Sequence, residues 1–148
     1  MKIQHLIFLL VVVSASSLAA GPAEEKAFTD KYKTAFEAKD TATLESLLYT
    51  QGADPQIVGF YKMMQSSEAG GKISKIELVN LSPEEVTKAA ASQESPSGGK
   101  VCLTLKPTKK LVVAIEKKDE NGSSSSTSEN MVAEKDGKFV IPVPGPCK

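Results

Sequence analysis

The hydrophobic rhythm of this chain changes once, at Gly70-Gly71, and that change bounds the fold more tightly than any other feature. Ahead of it, apolar residues recur at helical spacing, with Phe28, Tyr32, Ala35 and Phe36 on one stripe. Beyond it, from Lys72, the period is two, the spacing of strands.

The helices announce their starts. Pro22-Ala23-Glu24-Glu25 opens the first, which ends near Lys39. Proline in a first turn forfeits an N–H that would be unpaired anyway, and early acids match the helix dipole. Asp40 and Thr41 are cap residues for a shorter second helix with Leu44, Leu47 and Leu48 as its buried edge, stopped by Gly52. Asp54-Pro55 begins a third helix with Ile57, Val58, Tyr61 and Met64 along one face.

The strands follow. Ile73, Lys75, Glu77 and Val79 alternate with Ser74, Ile76, Leu78 and Asn80, so both faces are partly apolar. Ser82 to Gly99 reads as a long polar excursion, with a short strand or helical turn near Val86 to Ala91. Val101, Leu103 and Leu105 share one side of the next strand, opposite Cys102 and Thr104. Lys106 to Lys109 turns into the β-rich run Leu111 to Ile115. Asn121-Gly122 and four serines read as a loop, followed by a mostly polar strand near Thr127 to Glu134. Asp136-Gly137 is a two-residue hairpin signal, and Phe139 to Val143 is the final strand. Three helices and then four or five hairpin-linked strands make an α+β domain, without parallel βαβ units.

The N-terminus has the three parts of an export signal: Lys2, the apolar run Leu6 to Val13, and the small residues Ser14 to Ala20. The expected division is a leader at 1–19 and one domain at 20–148. Cleavage after Ala19 sets small side chains at both recognition positions, whereas cleavage after Ala20 sets Leu18 at one of them. The competing reading is an uncleaved anchor, but the apolar run is well short of the ~20 residues that span a bilayer. The expected location is therefore secreted or periplasmic, with no membrane span in the mature form.

Composition then removes several chemistries. The only histidine, His5, leaves with the leader, and with it go histidine-based triads and the usual zinc and iron ligand sets. No metal site or cofactor is expected. The basic residues are all lysine, and loss of Lys2 leaves 17 of them against 18 carboxylates. Without a basic face or arginine, nucleic acid is not an expected partner. There is no tryptophan, and aromatic residues are 5% of the chain, so a large aromatic cleft is not expected either. Cys102 and Cys147 are expected to pair in an exported protein, the alternative being free or intermolecular thiols.

The run Tyr32-Lys33-Thr34-Ala35-Phe36-Glu37-Ala38-Lys39-Asp40, leading into Leu44-Glu45-Ser46-Leu47-Leu48, resembles the opening of nuclear transport factor 2-like domains, the superfamily that includes ketosteroid isomerase. Ile73 to Leu78 and Glu134 to Ile141 are similar to that family's first and last strands. The resemblance implies N-terminal helices packed in the concave face of a strongly curved antiparallel sheet. It also implies a pocket at the open end of this cone, and a homodimer through the outer face of the sheet. None of the catalytic motifs of the enzymatic members can be matched to positions here.

Candidate site residues follow from chemistry. Tyr32, Tyr49 and Tyr61 are the only phenols, each able to serve a ligand or simply to pack. Met63 and Met64 beside Phe60 suit an adaptable apolar wall or plain core packing. Of these, Tyr32, Tyr61 and Met64 are the expected ligand-binding set. Asp40 and Asp54 have capping roles and Asp30 lies on a solvated face, which leaves little for a general base. Lys109-Lys110 and Lys117-Lys118 read as solvated strand ends. Asn80-Leu81-Ser82 and Asn121-Gly122-Ser123 match glycosylation acceptors, relevant only in a eukaryotic secretory pathway. The leading expectation is a non-catalytic exported domain binding a small apolar ligand or a protein partner of the cell envelope. The competing one is a lyase- or isomerase-type enzyme using an Asp/Tyr pair. An envelope protein docking another subunit through its sheet face is a third.

Overall fold

The computed structural model describes residues 19–148, so the expected leader, save its last residue, lies outside the described residues, as does His5. The α+β class holds. α1 (Pro22–Glu37) buries Phe28, Tyr32, Ala35 and Phe36, the stripe its sequence spacing predicts. Phe28 meets Phe139 edge to face with ring centroids 6.2 Å apart, and this contact seats the helix on the sheet. α2 (Thr41–Ser46) is capped by Asp40, whose side chain accepts the Thr43 N–H. It ends sooner than expected. Leu47 closes it, and Leu48–Tyr49 extend as β1, parallel to the Ile141 segment.

α3 (Pro55–Glu68) starts at Asp54, which accepts the Gln56 and Ile57 N–H groups. β2 (Lys72–Asn80) then pairs antiparallel with β5 (Lys109–Asp119). A bulge between Ile73 and Lys75 shifts the register there, so Ile73 is buried ahead of it and Ile76 and Leu78 face inward beyond it. That extra residue explains the two half-apolar faces of the sequence, since one inserted position flips every later side chain.

The polar excursion contains a whole helix, α4 (Pro83–Ala90). Ser82 and Glu85 cap it reciprocally, a box the sequence carries as Ser82-Pro83-Glu84-Glu85. Lys110 on β5 donates to Glu85 at 2.6 Å. This bond, followed by that from the Ser82 N–H, holds the Glu85 carboxyl down at about 2.

β6 (Gly122–Lys135) is longer than expected: the serines are strand, not loop, with Ser123 to Ser126 opposite Lys118 to Ile115 of β5. The loop is only Glu120-Asn121, closing a tight hairpin between Asp119 and Gly122. Asp136 and Gly137 both have positive φ, 52° and 73°, as a primed hairpin turn requires, and join β6 to β7 (Lys138–Pro142).

The expected all-antiparallel sheet needs two corrections. The five-stranded sheet, in order β1-β7-β6-β5-β2, is mixed because β1 and β7 run parallel. The final strand does not end the fold either. After Val143 the chain enters β8 (Pro144–Pro146), which joins β3 (Gln93–Glu94) and β4 (Lys100–Leu103) in a second sheet ordered β3-β4-β8. Its prolines are tolerated because β8 is an edge strand. Cys102 of β4 and Cys147 form the expected disulfide, with Cα atoms 5.0 Å apart, and clamp this sheet to the C-terminus. No helix among the described residues is long and apolar enough to cross a membrane.

Candidate functional site

α3 is an unusual helix for its place in the fold. Only Ile57 is buried, whereas Phe60, Met63 and Met64 are 53%, 59% and 42% exposed. Along the expected face of Ile57, Val58, Tyr61 and Met64, burial falls from Ile57 through the half-buried Val58 and Tyr61 to Met64, which opens to solvent. The helix stands off because its opposite wall is polar. On the helix-facing side of the sheet, β5 presents the fully buried Leu111 and Val113. Their partners across β6 are Asn130 and Ser128. A sheet face that changes from leucine and valine to asparagine and serine offers α3 no apolar seat.

The result is a cleft of about 350 Å³ between α1, α3 and β6. Phe60, Tyr61 and Met64 form its apolar wall, Gln65 and Glu68 continue the helix side, and Tyr32 of α1 lies at its base. Ser128, Glu129 and Asn130 form the strand side. All three expected ligand-binding residues, Tyr32, Tyr61 and Met64, therefore line one cleft.

The polar groups of the cleft are distinctive. Gln65 Oε1 and Ser128 Oγ are buried and have no hydrogen-bond partner among the described residues. Each such orphan costs about 1–3 kcal/mol in a folded protein, so two in one cleft call for an explanation. Tyr32 is 2% exposed and stacks on Phe36 with centroids 5.9 Å apart. Burial, and then the negative charge of Glu68, push its phenol up to about 12. Burial raises the Tyr61 phenol as well. Both side chains therefore remain neutral hydroxyls near pH 7, able to hydrogen-bond but not to act as bases.

No family model, curated protein or solved structure matches the chain.

The other candidates fall elsewhere. Tyr49 donates to Gln51 Oε1 at 2.9 Å, away from the cleft. Asp30 pairs with Lys26 on α1, while Asp40 and Asp54 are caps. The carboxylates lining the cleft are Glu68 and Glu129, so no aspartate converges there with a phenol. Lys109 and Lys110 are not free strand ends: they bind Glu25 at 2.9 Å and Glu85 at 2.6 Å, fastening α1 and α4 to β5. Lys117 donates to the Ser67 carbonyl at 3.3 Å. Asn80 accepts from Lys109 at 2.7 Å, and Asn121 is a turn residue.

Sequence reasoning passed over Gln65, Glu68, Ser128 and Asn130. Gln65 and Glu68 could have been found, because they continue the Tyr61 stripe at spacings of four and three. Ser128 and Asn130 had no apolar alternation to place them on a strand face.

Proposed function

We propose that this is a non-catalytic exported binding domain that takes a small apolar ligand with a hydrogen-bonding end in the cleft between α1, α3 and β6. The observation that carries this reading is the pair of unpartnered polar atoms, Gln65 Oε1 and Ser128 Oγ, beside an exposed apolar wall. A ligand hydroxyl or amide satisfies both atoms while its apolar body covers Phe60 and Met64. The Cys102–Cys147 disulfide and the leader-like N-terminus support a secreted or periplasmic location. Descent from a nuclear transport factor 2-like cone is part of the same proposal. Helices that precede the sheet, and α1 lying on it through Phe28, support that descent.

The test is binding of the neutral fluorophore N-phenylnaphthylamine to the purified domain. Fluorescence should rise with the wild type and fall at least about fivefold with Met64→Asp, a substitution at an exposed position. Equal enhancement by both proteins, or by neither, would remove the cleft as the binding site.

A further inference from the structure

Two free margins of the large sheet, the outer side of β2 and the part of β6 that runs beyond β7, are treated differently. At β2 the edge is closed: Glu37 accepts the Ile73 N–H at 2.9 Å, and Lys33 donates to the Ile73 carbonyl at 2.7 Å. A bulge and the lysines at 72 and 75 block the same edge further. These are the devices by which sheets avoid unwanted strand addition.

β6 carries none of them along its outer part. Among the described residues it pairs with β7 only over Ala133 to Lys135, whereas Gly122 to Val132 have backbone partners on the β5 side alone. From Ser123 to Ser128 the strand has no charge, no proline and no register shift. The cleft meets the sheet at this strand, where Ser128, Glu129 and Asn130 line it.

The cleft is thus a groove with a helix on one side and an unpaired strand edge on the other. We infer that its occupant is an extended segment of a partner protein, added as a further strand along Ser123 to Asn130, with apolar side chains at alternate positions turned toward Phe60 and Met64. Main-chain bonds to the edge supply affinity in this mode, and pockets for alternate side chains supply selectivity. Charge points to the sign of the segment. Glu68 and no lysine line the groove, while the Glu129 carboxylate is taken by Lys110 at 3.3 Å, so a lysine or arginine within reach of Glu68 is favoured. This inference rests on the reading of the cleft as a binding site and replaces the small molecule with a peptide side chain.

The experiment uses the full domain and a set of capped nine-residue peptides in which lysine alternates with valine, leucine, phenylalanine or methionine. Binding is read by calorimetry, and hydrogen exchange is followed at the backbone amides of 123–130. The expected result is that at least one peptide binds and slows exchange at alternate amides of that stretch. N-methylation of its edge-facing amides should weaken it about tenfold or more, as loss of one or two hydrogen bonds implies. Failure of every peptide to protect those amides overturns the inference, as does a methylated peptide that binds equally well. A domain that is dimeric alone, with the same amides already protected, puts a second copy on the edge and also overturns it. If Met64-dependent fluorophore binding persists while no peptide binds, only the strand-addition inference falls. If neither binds, both readings fall.

Discussion

The Glu37 carboxylate accepts the backbone N–H of Ile73 at 2.9 Å, so the last turn of α1 closes the edge of β2. Lys33, one turn earlier, is ion-paired to Glu37 at 2.9 Å and completes the closure at the Ile73 carbonyl. The Lys33 hydrogen bond, and then that of Ile73, hold the Glu37 carboxyl below its usual 4.5. A depressed carboxyl contributes stability that is fully present above pH 4.5 and is lost as the pH falls through the lower folded value. Glu37→Ala should destabilise the domain by about 1 kcal/mol near pH 7, given the partial exposure of the pair. The gap between the two proteins should close on acidification. Urea denaturation at a series of pH values measures it, and a gap that does not change with pH would refute this role for Glu37.

Tyr32 makes the opposite prediction at the alkaline end. Its phenol rises from 10.0 to about 12 because the ring is buried and Glu68 is near. The unfolded chain therefore gives up this proton first. The contribution is complete below pH 10 and disappears as the pH climbs toward 12. For a buried group a two-unit shift corresponds to roughly 3 kcal/mol. Tyr32→Phe, which keeps the stack on Phe36, should be less sensitive to alkaline unfolding than the wild type. Ultraviolet phenolate absorbance should show that at least one of the wild type's tyrosines is missing from the titration near 10, and that Tyr32→Phe removes the component nearest 12. Identical alkaline denaturation of the two proteins would contradict the placement of Tyr32.

How much of this was legible in the sequence depended on whether local chemistry or distant pairing decided each element. The α1 stripe, the Asp40 and Asp54 caps and the Asp136-Gly137 turn are local, and each was readable from neighbouring residues. The serines at 123–126 were not, because their strand is imposed by Ile115 to Lys118 opposite, in a hairpin closed by Glu120-Asn121. β8 was hidden by its prolines, which read as a terminus unless one knows that the strand lies at an edge. The site divided similarly. Tyr32, Tyr61 and Met64 were named from side-chain chemistry, whereas Ser128 and Asn130 depended on the register between β5 and β6.

The second sheet presses on the loop before α3 at a point where only glycine fits. A Cβ on Gly145 would lie 1.9 Å from the Gly52 carbonyl oxygen and 3.0 Å from the Ala53 Cα. Both are backbone atoms, so no side chain can swing away to relieve the contact. The Asp54 N–H donates to the Pro144 carbonyl at 2.9 Å beside it, tying the start of α3 to the same junction. Gly145→Ala should therefore cost roughly 2–3 kcal/mol through backbone displacement, although alanine usually costs little in a strand. It should also loosen α3, seen as faster amide exchange at Gln56 to Val58. A variant as stable as the wild type would mean that the two segments do not meet this closely.

The unpartnered atoms in the cleft set stability against binding. Ser128 Oγ is buried without a hydrogen bond, and its cross-strand partner is the fully buried Val113. Removing an orphaned hydroxyl from such a place relieves its desolvation cost, so Ser128→Ala should stabilise the unliganded domain, by about 1 kcal/mol. A hydroxyl with no role other than to fill space would give no gain, or a small loss from the missing contacts. The same variant should bind an occupant with a hydrogen-bonding group more weakly, because the atom that compensates that group has gone. Paired measurements on Ser128→Ala, thermal unfolding without ligand and calorimetry with one, should move in opposite directions. If stability and affinity both fall, Ser128 is a packing residue and the cleft owes its polarity to chance.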